Sequence, residues 1–385
     1  MPTSRPSDPV LLTPGPLTTS ASVKAAMLRD WGSRDPAFVA LVARVRQRLV
    51  ELAGGGDYVC VPLQGSGTFA VEAAIGTLVP RAGKLLVLVN GAYGRRIRRM
   101  AEVMGRAVAT LETAEDVPPD PAALDDALAR DAAITHVAAV HCETTSGILT
   151  PVEAIADVAE RRGKRLIVDA MSSFGAIPCS APALRAEAIV ASANKCLEGA
   201  PGVGFAIVRR ASLAAAEGNA HSLSLDLHAQ WTGFEANGQW RFTPPTHVLA
   251  ALDQALAEHA AEGGVAGRGA RYGHNCRLLV EGMRRLGFAT LLPDALQAPI
   301  IVTFRMPADS RFDFKEFYDR LAARGYVIYP GKLTVAESFR IGCIGRIGEF
   351  EIKGALAAIS QVMAELGVAS GAPGSNTTNR LASFA

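Results

Sequence analysis

The chain has 385 residues, 49% of them apolar and 20% charged, with a formal net charge of +2. Those proportions exclude a disordered or fibrous chain and give no electrostatic reason to expect nucleic acid or an anionic membrane surface as a partner. The length suggests a large domain with a smaller one beside it.

The opening MPTSRPSDPV lacks the apolar core of a secretory signal. No apolar stretch reaches membrane-spanning length. A cytoplasmic protein is therefore expected. The six cysteines, Cys60, Cys142, Cys179, Cys196, Cys276 and Cys343, include no CxxC pair. Reduced thiols are the simplest reading, and no metal site is expected.

In chain order, residues 1–10 are polar and Pro-rich and read as a loose segment. Strand-like VCVPL follows, then the turn Gln64, Gly65, Ser66, Gly67, Thr68 and the helical TFAVEAAIGTLV. KLLVLVN (84–90) reads as a buried strand, and RIRRMAEVMG as a helix. The basic run Arg95, Arg96, Arg98, Arg99 opens that helix and reads as a solvated or subunit-facing face. Further strands are THVAAVH (135–141), RLIVDA (165–170), EAIVAS (187–192) and VGFAIVR (203–209), with the helix PVEAIADVAERRG among them. Continuous apolar strands separated by helices imply an α/β fold, with a largely parallel sheet covered on both faces.

From about residue 246, THVLAALDQALAEHAAEGG reads as a helix linking two domains. A second α/β block follows, with strands APIIVTF (298–304) and GYVIYPG (325–331), the helix FKEFYDRLAARG and a closing helix EFEIKGALAAISQVMAEL. The expected division is a loose segment 1–10, a large domain 11–260, a small C-terminal domain 261–368 and a disordered tail 369–385. No internal repeat is present.

Four features carry chemistry. The turn at Ser66, Gly67 and Thr68 has small residues and two hydroxyls at a helix start, which suits a phosphate, although such a turn is also an ordinary N-cap. It is neither a P-loop nor a GxGxxG fingerprint. Asp169 ends a strand, where ligands bind in open α/β sheets. An acid there would keep a pyridine nitrogen protonated in a pyridoxal phosphate enzyme; the plain alternative is a helix cap. Lys195 in ASANKCLEGAPG follows the next strand in nearly uncharged surroundings, which suits Schiff-base chemistry. Asp169 and Lys195 thus reach one crevice. Arg340, in ESFRIGCIGR, offers a fork for a carboxylate or phosphonate, while Arg346 reads as a surface residue.

The segments LLTPGPLTTS, DWGSRD, GSGTFAVEA, ETTSGIL, VDAMSSFGAIP, SANKCLEG, SLSLDL, RFTPPTHV, FDFKEFY and VIYPGKLT…SFRIGCIG run in order from about Leu11 to about Leu366. Together they resemble the 2-aminoethylphosphonate:pyruvate aminotransferases, class V members of the fold type I enzymes that depend on pyridoxal 5′-phosphate. Departures are small: ETTSG stands for ETTTG, and RFTPPTH for RFTSPTH. The resemblance implies a large domain with a mostly parallel, seven-stranded type of sheet, a smaller C-terminal α/β domain, and a homodimer with shared active sites. It implies substrates 2-aminoethylphosphonate and pyruvate, with phosphonoacetaldehyde and L-alanine as products, in phosphonate catabolism.

Residue by residue, the resemblance gives Lys195 the covalent link to the cofactor and the proton transfer, and gives Asp169 the pyridine nitrogen. Ser66, Gly67 and Thr68 hold the phosphate, with Ser192 and Asn194 flanking the lysine. Tyr93 in NGAYG stacks on the ring, or is an interface aromatic. Thr144 and Thr145 lie on the O3′ side of the ring, or form a simple turn. Thr243 reaches the phosphate of the neighbouring subunit. Arg340 binds the substrate's acidic end. A phosphonate has one oxygen more than a carboxylate, so a second donor is expected from the 13–16 turn or from Arg34; Arg34 otherwise pairs with Asp30 or Asp35. His141 and His247 read as packed or hydrogen-bonded rather than catalytic.

The nearest alternative is another class V aminotransferase, of the alanine:glyoxylate or serine:pyruvate type. A cysteine desulfurase would need a cysteine on a loop before the arginine segment. A nicotinamide oxidoreductase would need GxGxxG. A non-catalytic regulator would not need Lys195, Asp169 and Arg340 intact.

Overall fold

The computed structural model describes residues 8–333 and 336–374. Residues 1–7 and 375–385, which make up most of the two segments read above as loose, lie outside the described residues. The chain enters with β1 (Val10–Leu11), then α1 (Pro36–Leu52), β2 (Tyr58–Gln64), α2 (Gly67–Leu78), β3 (Lys84–Val89), α3 (Ala92–Val103) and β4 (Ala107–Glu112). It continues through β5 (Ile134–Val140), β6 (Arg165–Asp169), β7 (Ala188–Ser192) and β8 (Val203–Arg209).

Strands β2 to β8 form one seven-stranded sheet in the order β2-β8-β7-β6-β5-β3-β4. Its inner strands are buried along nearly their whole length because both faces are covered. One apolar cluster joins α1 to one face of the sheet, and a second joins α2 and α3 to the other. The strand read from VGFAIVR is β8, and it runs antiparallel to both β2 and β7. The sheet is therefore mixed. The carboxyl ends of β2, β3, β5, β6 and β7 nevertheless lie along one edge.

Next come α4 (Thr246–Ala261), α5 (Gly264–Arg285), β9 (Ile301–Arg305), α6 (Phe314–Ala323), β10 (Tyr326–Val327), β11 (Tyr329–Pro330), β12 (Ser338–Gly342) and α7 (Glu349–Glu365). Strands β9, β12 and β11 form a three-stranded antiparallel sheet. Phe288, Phe304, Phe317 and Phe339 fill the core beneath it. The N-terminal segment joins this block. Val10 and Leu11 pair in parallel with Tyr326 and Val327, Leu12 is buried in the same core, and Gly342 N donates to Leu12 O at 2.9 Å.

A buried ionic cluster ties the block to the large sheet. Glu198, 3% exposed, receives Arg271 at 2.8 Å and the Tyr272 hydroxyl at 2.5 Å, with Arg268 at 3.5 Å. Glu262 holds the same two arginines, each at 2.6 Å. Arg268 also donates to Cys196 O, and Arg271 to Ile347 O. Removing one partner of such a cluster leaves buried charge uncompensated, at a cost of about 3 kcal/mol. Glu198→Gln is expected to lower the thermal and urea unfolding midpoints clearly; unchanged midpoints would show that the cluster is not holding the two parts together.

Candidate active site

The loops at the carboxyl edge of the sheet supply the site. The first leaves β2 and enters α2. Ser66 is the extended residue before α2, and its hydroxyl makes no capping bond, so the hydroxyl and the helix start are uncommitted. A Cβ on Gly67 would lie 2.1 Å from Met171 Sδ, and one on Gly204 would lie 2.9 Å from Ser66 O. The Met171 side chain therefore packs closely on one side of this cup and the Gly204 backbone on the other. Thr68 Oγ1 receives Arg96 Nη1 at 3.3 Å. The basic run divides here. Arg95, Arg98 and Arg99 pair with Glu112, Glu115 or Glu102, as a solvated face would, but Arg96 joins the cup.

Asp169 ends β6 and is buried; its carboxylate accepts Met171 N at 3.0 Å. Burial raises its pKa to about 6, with Glu143 adding to the shift and Arg96 and Lys195 opposing it. Lys195 lies in the loop after β7. Its Nζ donates to Pro14 O at 2.7 Å and Gly15 O at 3.3 Å. Burial lowers its pKa to about 8; Asp169 works against that shift and Arg340 adds to it. A Cβ on Gly15 would lie 2.6 Å from Lys195 Cδ, and Gly15 has φ +105°, so the N-terminal segment crosses the lysine where only glycine fits. Ser192 is buried at the end of β7, and Asn194 is half-buried beside the lysine.

The loop after β5 holds Glu143, Thr144 and Thr145, and the two threonines differ. The Thr145 hydroxyl donates to Glu143 Oε1 at 2.6 Å and accepts Ala92 N at 3.0 Å, so it fastens the start of α3. The Thr144 hydroxyl is buried with no partner. Glu143 is completely buried and also accepts Tyr93 N at 3.1 Å. Burial raises its pKa, while the Thr145 hydroxyl and the backbone donors lower it. Sequence reading missed Glu143 because ETTSG drew attention to its hydroxyls.

Arg340, on β12, is 1% exposed. Nε donates to Pro330 O at 3.0 Å and Nη1 to Thr144 O at 2.6 Å, and Cζ sits 5.0 Å from the Tyr329 ring centre. Among the described residues no carboxylate pairs with it, and burial lowers its pKa. Lys332 was also missed: its Nζ lies 4.9 Å from the centre of the Tyr93 ring.

Among the described residues, two expected residues make no hydrogen bond or ion pair with this crevice. Thr243 and Arg34 are exposed, and among the described residues Arg34 makes no ion pair. Asp30 meets His247 at 3.2 Å instead, and Asp35 caps α1. His141 bonds Ser173 Oγ at 2.9 Å, and burial lowers its pKa to about 4, so it is a packed neutral imidazole. Among the described residues no group of three or more His, Cys, Asp or Glu could hold a metal ion.

Residues 18–332 match the family model described as aminotransferase class-V. The chain is 56% identical over 363 residues to a 2-aminoethylphosphonate–pyruvate transaminase of Pseudomonas fluorescens, covering 94% of this chain and 98% of the relative. An enzyme of the same name from Pseudomonas aeruginosa is 56% identical over 361 residues, covering 94% and 97%. Among solved structures, an alanine–glyoxylate aminotransferase from Nostoc sp. superposes with a TM-score of 0.88 at 25% identity, covering 94% and 97%. A pyridoxamine-pyruvate aminotransferase from Mesorhizobium loti gives 0.86 at 26%, covering 95% and 96%.

The lowered pKa of Lys195 can be measured directly. In the ligand-free protein, labelling by an amine reagent at residue 195, read by peptide mapping, is expected to reach half its maximum near pH 8. Labelling that rises only together with the exposed Lys315 and Lys353 would contradict the burial argument.

Proposed function

The chain belongs to the class-V aminotransferase family, and from that premise we propose that it uses pyridoxal 5′-phosphate to move the amino group of 2-aminoethylphosphonate to pyruvate, giving phosphonoacetaldehyde and L-alanine. The observation that carries the substrate assignment is the 56% identity, over 94% of the chain, to a transaminase of that name.

The residues present fit the cofactor. Asp169 is a buried carboxylate with one backbone donor, the Thr144 hydroxyl is buried without a partner, and the Ser66 hydroxyl is not used as a cap. A phosphorylated pyridine gives each of them something to bond. Ser66, Gly67 and Thr68 would hold its phosphate at the start of α2, with Ser192 and Asn194 nearby. Tyr93 would stack on the ring, and Thr144 is better placed than Thr145 to reach its hydroxyl, because the Thr145 hydroxyl already serves Glu143 and Ala92. When bound, the cofactor supplies an electron-poor ring that stabilises negative charge on the substrate carbon.

The chain's own residues do the rest. Asp169 holds a proton on the pyridine nitrogen, and the buried site keeps that pair dry. Lys195 Nζ, with its lowered pKa, would hold the cofactor covalently; once the substrate amine displaces it, the freed amine would take the proton from the carbon bearing the amino group and return it to the cofactor carbon. Arg340 receives the carboxylate of pyruvate or alanine and the phosphonate of the other substrate. Its guanidinium is already fixed by Pro330 and Thr144, so little side-chain freedom is lost on binding.

Thr243 would act in a second copy of the chain, making a homodimer with shared sites. Phe242 beside it and Phe69 in the first turn of α2 are 50% and 48% exposed, apolar surface of the kind a partner covers. No helix among the described residues is long and apolar enough to cross a membrane. We place the enzyme in the cytoplasm.

Purified protein given 2-aminoethylphosphonate and pyruvate should form phosphonoacetaldehyde and L-alanine in equal amounts. Turnover of alanine with glyoxylate, and none with the phosphonate, would replace the substrate assignment. Asp169→Ala should lose orders of magnitude in rate while keeping most of its cofactor. Arg340→Ala should lower kcat/KM about 10- to 100-fold in both half-reactions, as loss of a charged hydrogen bond does. Near-normal turnover in either variant would remove that residue from the mechanism.

A further inference from the structure

Arg340 alone leaves part of a phosphonate unmet. A carboxylate presents two oxygens and one charge, which a single guanidinium fork satisfies. A phosphonate presents three oxygens and up to two charges. Its third oxygen needs another donor, and the C-terminal block supplies one.

Lys332 lies just beyond β11. Pro330 O is held by Arg340 Nε at 3.0 Å, and a Cβ on Gly331 would lie 2.0 Å from Ser338 O. The chain leading to Lys332 is thus pinned by Arg340 itself and by close backbone packing. The Lys332 ammonium sits 4.9 Å from the centre of the Tyr93 ring, and Arg96 Cζ lies 4.9 Å from the same centre.

Two cations therefore gather about one aromatic ring, and a third, Arg340, grips the strand that leads to one of them. Among the described residues no carboxylate pairs with any of them. Glu143 is close enough to act on Lys332, but it is occupied by Thr145 and by the start of α3. Lys332 is exposed at the mouth of the crevice, and partial desolvation, then Arg96 and Arg340, hold its pKa below the ordinary lysine range. Like charges gathered without a counter-charge suit an anionic ligand. Position divides the three. Arg96 is bonded to Thr68 at the cup, whereas Lys332 follows the strand that Arg340 grips.

We propose that Lys332 is the second phosphonate donor, whose ammonium takes the oxygen that Arg340 leaves over and so favours a phosphonate over a carboxylate at this site. The assignment rests on the function proposed above and deepens it. Arg34, on its exposed loop, is the competing donor.

The test uses the holoenzyme and two pairs of ligands. Lys332→Met removes the charge and keeps most of the bulk. Each half-reaction is followed by the cofactor's absorbance in single-turnover mixing. The kcat/KM for 2-aminoethylphosphonate should fall about 10- to 100-fold, and that for L-alanine far less. Ethylphosphonate and propionate, which lack an amino group, report binding without turnover. The variant should weaken ethylphosphonate selectively, and Lys332→Arg should restore part of that affinity. Equal losses for both ligand classes, together with poorer cofactor retention, would place Lys332 at the cofactor phosphate and overturn the proposal. So would an unchanged ratio, or a selective loss in Arg34→Ala that Lys332→Met does not show. If wild-type protein binds ethylphosphonate through Lys332 but does not transaminate 2-aminoethylphosphonate, the functional reading fails and the Lys332 assignment stands.

Discussion

Glu198 is the carboxylate on which the two halves of the molecule meet. It belongs to the loop that carries Lys195, yet its partners, Arg268, Arg271 and Tyr272, all come from α5. Arg271 and Tyr272 then reach the backbone at Ile347 and Gly345, just past β12. The position of Lys195 relative to Arg340 is therefore set by buried charge-assisted bonds rather than by apolar contact alone. Such bonds are directional, and a geometry built on them resists sliding. The N-terminal segment adds a second tie: it pairs with β10, passes Leu12 through the C-terminal core, and lays Pro14 and Gly15 over the lysine.

Charge is fully matched in that cluster and left unmatched in the crevice. Asp169 is buried with one backbone donor, Lys195 is held by two carbonyl oxygens, and Arg340 is held by two more. Buried groups of this kind cost stability unless a ligand completes them. The costs are tolerable because the neighbouring elements hold each group rigidly. The same desolvation shifts Asp169 up and Lys195 down, so that both are poised nearer neutrality than free side chains. Stability at the site and chemistry at the site thus pull in opposite directions.

Much of this was legible in the sequence because it follows from strand ends. Asp169 and Lys195 follow uninterrupted apolar runs, and a side chain at the carboxyl end of such a run faces the ligand edge of the sheet. The direction of β8 was not legible, because an apolar strand reads the same whether it runs parallel or antiparallel. β4 was missed because it is an edge strand with exposed and half-exposed residues, so its pattern lacks a buried run. Arg96 was hidden within a basic run whose other members do pair at the surface. The anchoring role of Glu198 was not legible, since its partners lie on a distant helix. Glu143 and Lys332 lie within ETTSGIL and VIYPGKLT, but the neighbours they meet are distant in sequence, so those segments did not single them out.

In the proposed enzyme the buried amine of Lys195 carries the cofactor, and reduction would trap that bond. The holoenzyme is reduced with borohydride and digested, and the pyridoxyl group is located by peptide mass. It is expected on Lys195 alone. A label on Lys332, which lies beside the Tyr93 ring, or on Lys84 or Lys164 would contradict that assignment.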